Sequence, residues 1–166
     1  MSPGDVLPLV GRGEQWDSIE KFLTRSAESP AALCVFGGPG FGKTVLLDAA
    51  AAAAEERGTV VLRAAGARPE SAVPFAILHL LLTPLRAYFA DLPAEHGRTL
   101  SAALGFDDAG PPDTASLAVA TKALLQRGAP DSPVLLTVDD WQWVDRESVA
   151  VLAQVDCALL FAVRAE

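Results

Sequence analysis

The chain has 166 residues, 51% of them hydrophobic and 20% charged, with a formal net charge of −8. That length and composition suit one globular domain with a real core and exclude a disordered segment. The acidity argues against a nucleic-acid-binding surface, which needs a basic patch.

Glu14 to Thr24 predicts a helix, because Trp16, Ile19, Phe22 and Leu23 fall on one face at helical spacing. "AALCVF", Ala31 to Phe36, has strand length and ends in glycines. Lys43 to Arg57 is alanine-rich and helix-forming, with Gly58 placed as its stop. "TVVLRA", Thr59 to Ala64, is β-branched and predicts a second strand. Pro74 to Phe89 reads as mainly helical with a break near Pro84, and Arg98 to Leu104 as a further helix. "GFDDAGPPD" is a loop by its Gly, Pro and Asp content. Ala115 to Gln126 is helical, and Pro133 to Val138 is a third strand, apolar throughout. Arg146 to Ala153 is a short helix with Asp145 as N-cap, and Ala158 to Val163 is a fourth strand.

Strands alternating with helices predict an α/β domain with a mainly parallel sheet. The near-continuous apolar strands predict helices on both faces of that sheet. Cys34 and Cys157 border apolar runs and read as small buried hydrophobes without metal-ligand spacing. His79, inside "AILHLLL", reads as a packed residue. The N-terminus lacks the pattern of a secretory signal, and the most apolar stretch is too short to span a bilayer. The expected setting is cytoplasmic, with no membrane partner.

"GGPGFGKT" fits G-x-x-x-x-G-K-[ST] in full and sits between a strand and a helix, as that motif must. Gly37, Gly38, Pro39, Gly40, Phe41 and Gly42 would fold around an anion with backbone N–H groups pointing inward. The N-terminus of the following helix favours negative charge. Lys43 would place a point charge near the terminal phosphates, and the Thr44 hydroxyl would ligate Mg²⁺. The domain is therefore expected to be a P-loop NTPase.

"LLTVDDWQWVD" ends an apolar strand on two carboxylates, a costly arrangement unless cationic charge meets it. If this strand lies beside the phosphate-loop strand, Asp139 would hold Mg²⁺ and Asp140 would orient or deprotonate an attacking water. Trp141 and Trp143 read as packing residues covering that turn. An Asn-Lys-x-Asp guanine-reading segment is lacking, and arginines between strands two and three are too scattered for a kinase lid.

Four segments in this order, "PLVGR", "GGPGFGKT", "LLTVDDWQWVDRES" and "LLFAVR", resemble the N-terminal ATPase module of large ATP-binding LuxR-type transcriptional regulators. These are signalling ATPases of the STAND class, related to AAA+ proteins. The helical stretch "PFAILHLLLTPLRAYFADLP" is also similar, so the resemblance covers nearly all of residues 1–166, one domain. It implies ATP or ADP as ligand with Mg²⁺, and a nucleotide switch with slow hydrolysis. It also implies that Val10, Gly11 and Arg12 lie near the adenine and that Arg164 senses the terminal phosphate.

The sequence departs from that family in two places. The connection before the fourth strand is compressed to a short helix and "VDC", near the lower limit for a parallel crossover, which predicts a displaced strand. The chain also ends at the sensor strand, so an incomplete sheet of four core strands is expected. Its phosphate-loop strand would then lie at an edge, open to self-association or a partner. Two other readings stay open: a nucleotide-independent interaction module or degenerate fragment, and a small-molecule kinase.

Overall fold

The computed structural model describes residues 12–108 and 110–165. Four strands, β1 (Ala32–Gly37), β2 (Val60–Ala65), β3 (Val134–Asp139) and β4 (Ala158–Arg164), form one parallel sheet in the order β1-β4-β3-β2. Six α-helices accompany them among the described residues: α1 (Gly13–Ser26), α2 (Lys43–Glu56), α3 (Ala76–Leu82), α4 (Ala94–Ala103), α5 (Thr114–Gly128) and α6 (Arg146–Leu152). None of the helices is long and apolar enough to cross a membrane.

Strand periodicity divides the core in two. On one face Leu135, Ala158, Leu160 and Ala162 meet Ile19, Phe22 and Leu23 of α1 and Leu46, Leu47, Ala50 and Ala54 of α2. The buried alanines of α2 place only a methyl group between the helix and this face, so its backbone can lie close. On the other face Leu62, Leu136 and Val138 meet the leucines of α3, α4 and α5 and Val151 of α6. The fold class read from the sequence is the one observed.

Several expectations are corrected. β4 is not displaced: residues 140–157 suffice for the crossover, and β4 pairs with both β1 and β3. The strand ending in Asp139 is consequently not beside the phosphate-loop strand, because β4 lies between them. Helical cover on the second face stops short of β1, leaving Ala32, Cys34 and Phe36 exposed, the last by 70%. Cys34 is thus an exposed thiol rather than a core residue, and Cys157 is half-buried. Burial and the neighbouring Asp156 charge push the Cys157 thiol up to about 11.

The segment Pro74 to Phe89 is helical only as far as Leu82. A 3-10 run over Thr83–Asp91 follows, with Pro84 in its first turn, where a missing N–H costs nothing. The next helix begins at Ala94, earlier than expected, directly after Pro93. His79 is packed as read: its ring lies 5.3 Å from that of Phe106, and its Nδ1 is 2.9 Å from the Leu104 carbonyl oxygen.

Candidate functional site

The parallel sheet brings the ends of all four strands to one side, and the motif residues gather there. The loop after β1 turns sharply into α2. Gly40 and Gly42 both have positive φ, at 75° and 64°. Gly42 is also the residue before the first turn of α2, and a Cβ there would sit 3.2 Å from Arg12 Nη2. The positive φ is what demands glycine here, since the guanidinium at the end of a flexible side chain could move aside. No side chain caps α2, which leaves its first N–H groups facing the loop.

Lys43 is the first residue of α2 and is only 9% exposed. Its Nζ folds back to donate to the Gly37 and Gly38 carbonyls, each at 2.8 Å. The ammonium thus closes the loop from inside, and the ring of Phe41 leans over Gly38 while staying 63% exposed.

Thr44 Oγ1 donates to Asp139 Oδ2 at 2.5 Å, joining the start of α2 to the end of β3 across the intervening β4. The other carboxylate oxygen, Oδ1, accepts the Asp140 backbone N–H at 2.8 Å. A threonine hydroxyl with a carboxylate is a hard-oxygen pair. It suits Mg²⁺, which takes few protein ligands and completes its shell with phosphate and water. The residues present therefore fit a magnesium–phosphate group.

Asp140 has left-handed backbone, φ 47°. Its Oδ1 accepts from Gln142 Nε2 at 2.7 Å and lies 3.7 Å from Arg164 Nη2. Arg164 ends β4, in register with Gly37 of β1, so the structure brings it next to both the loop and the second acid. The Arg12 guanidinium lies against Gly42 at the same loop. Val10 and Gly11 fall outside the described residues.

Sequence reading missed two residues here and half the role of a third. Gly66 follows β2, and its N–H donates to the Asp139 carbonyl at 2.9 Å. A Cβ on Gly66 would lie 2.5 Å from the Asp140 carbonyl oxygen and 3.1 Å from the Trp143 carbonyl carbon. Both are backbone atoms and cannot swing aside. Gly66→Ala is therefore expected to cost about 1–3 kcal/mol and displace the Asp139–Asp140 turn. The midpoint of urea unfolding, compared with wild type, checks this; an unchanged midpoint contradicts it.

Gln142 is the second, through its bond to Asp140. The third is Asp145, read only as a helix cap. Its Oδ1 does accept Ser148 N–H of α6 at 2.8 Å. It also accepts Phe75 N–H at 2.8 Å, while Oδ2 accepts Ile77 N–H at 3.1 Å. Ser148 Oγ accepts Leu78 N–H at 3.0 Å. The segment after the two acids is thereby stitched to the start of α3. Trp141 and Trp143 pack as expected: the first lies 4.6 Å from the Phe161 ring, and the second carries the Arg68 guanidinium at 5.2 Å.

No curated protein matches the chain. A family model described as an AAA ATPase domain matches residues 8–155. That span includes the glycine loop, α2, the paired acids and strands β1 to β3, and it stops just before β4. The chain belongs to the AAA ATPase domain family.

Proposed function

We propose that this chain binds ATP with Mg²⁺ and serves as the nucleotide-switch module of a LuxR-type signalling ATPase, with slow hydrolysis. The observation that carries the reading is the Thr44–Asp139 contact beside a glycine loop closed by Lys43. Two hard-oxygen ligands and a buried ammonium converge where a helix N-terminus already favours anions.

Lys43 exchanges its two loop carbonyls for phosphate oxygens. Thr44 and Asp139 would hold the metal, which when bound would offset charge on the phosphates. Asp140 orients the attacking water and takes up its proton. Arg164 meets the terminal phosphate, and Arg12, with Val10 and Gly11, borders the nucleoside. Residues 1–166 act as one ATP-binding domain. The role implies a cytoplasmic protein whose contact with DNA is made elsewhere than on this acidic segment. ATP and ADP would stabilise two states through differential affinity.

Metal dependence tests the reading. Chelating Mg²⁺ is expected to weaken ATP binding to the wild type at least tenfold, about 1.4 kcal/mol. The same treatment should change Asp139→Ala less than threefold, because the charged one of the metal's two protein ligands, Thr44 and Asp139, is already gone. Equal metal dependence in both proteins, measured by calorimetric titration, would remove Asp139 from the site.

A further inference from the structure

Gln142 lies in a one-turn 3-10 segment, Trp141–Trp143, and its side-chain amide is used at both ends. Its Nε2 donates to Asp140 Oδ1 at 2.7 Å, and its Oε1 accepts the backbone N–H of Arg164 at 3.1 Å. Only one orientation of the amide serves both partners. Turned over, it would set oxygen against a carboxylate and N–H against N–H. One side chain therefore joins the end of β3 to the end of β4.

Asp140 is also fixed from behind. Its left-handed backbone is backed by the close approach of Gly66, which places the residue before its side chain is considered. What remains free is the direction of the carboxylate. Gln142 and the Arg164 guanidinium share the same oxygen, Oδ1. The Gln142 N–H offsets part of the negative charge on that oxygen and so weakens its attraction for the guanidinium, 3.7 Å away.

We propose that Gln142 is a positioning residue that couples Asp140 to Arg164, so that the two respond to the terminal phosphate of ATP as one unit. This rests on the ATP-binding reading above and deepens it. Without the amide, the end of β4 loses an anchor and Asp140 is left with Arg164 alone. Both changes oppose transfer of the guanidinium from carboxylate to phosphate. ADP lacks that phosphate, so its binding does not depend on the link.

The test is calorimetric titration of the full chain with Mg-ATP and with Mg-ADP. Gln142→Met keeps the length and removes both hydrogen bonds. It is expected to weaken ATP roughly three- to tenfold, the range of one net hydrogen bond, and to change ADP less than twofold. Gln142→Glu keeps the acceptor for the Arg164 N–H but repels Asp140, and it should weaken ATP selectively as well. In an Arg164→Ala background, Gln142→Met should have no further effect on ATP. A merely structural role would weaken both nucleotides alike; that result, or unchanged ATP binding, overturns the inference. If the wild type binds neither nucleotide, the ATP-binding reading falls and this falls with it. If it binds both and the variants do not discriminate, this inference alone fails.

Discussion

Replacing Lys43 with alanine removes half or more of the stability that Mg-ATP confers. At a hundredfold excess over its dissociation constant, the nucleotide adds about 2.7 kcal/mol to the wild type. For a domain of this length that raises Tm by roughly 5–10 °C. The ammonium is nearly buried and donates to two loop carbonyls, so it already lies inside the cradle where phosphate oxygens would replace them. Charge-assisted contacts of this kind contribute about 1.5–3 kcal/mol. Their loss corresponds to roughly a 10- to 150-fold weaker complex, leaving about 0.3–1.4 kcal/mol of stabilisation at the same nucleotide concentration. The nucleotide-free variant should melt close to the wild type, because water can reach the freed loop carbonyls. Thermal melts of both proteins with and without Mg-ATP check this, and a full shift in Lys43→Ala contradicts it.

Asp145→Ala has the largest expected effect on the fold itself. The Asp145 side chain is 1% exposed and accepts three backbone N–H groups, from Phe75, Ile77 and Ser148. Alanine leaves those donors without a partner in the interior. Each unsatisfied donor costs about 1–3 kcal/mol, so the variant should lose about 3–5 kcal/mol. Phe75 has positive φ, 61°, and its N–H is one of the three. The start of α3 should therefore loosen first, and amide exchange at Ile77 and Leu78 should rise ahead of exchange in β3. Asp145→Asn keeps one acceptor oxygen and should fall between the two proteins. A loss below about 1 kcal/mol in Asp145→Ala would show that water replaces the carboxylate.

What was legible in the sequence was local. "GGPGFGKT" states its own geometry, because positive φ, helix start and lysine all lie within eight residues. The apolar run ending in Asp139 and Asp140 fixes which end of the strand carries the acids. Asp145 as a cap follows from its place directly before α6. The edge position of β1 is as expected, but the insertion of β4 between it and β3 was not legible, since apolar runs carry no label for their neighbours. The exposure of Cys34 follows from the same fact: an edge strand keeps an apolar pattern even where no helix covers it. Gly66 looks like any glycine after a strand. Its necessity comes from Asp140 and Trp143, far away in the chain. The second role of Asp145 likewise depends on partners about seventy residues distant. Gln142 gains meaning only once β4 brings Arg164 alongside.

The central claim is that backbone amides of the glycine loop, Lys43, Thr44 and Asp139 form one magnesium–triphosphate site. Isothermal titration of the wild-type chain with ATP in the presence of Mg²⁺ tests it most directly. A saturable heat of one nucleotide per chain, largely lost in Lys43→Ala, is the result predicted. A folded wild-type sample that gives no binding heat with either Mg-ATP or Mg-ADP at several temperatures would contradict it.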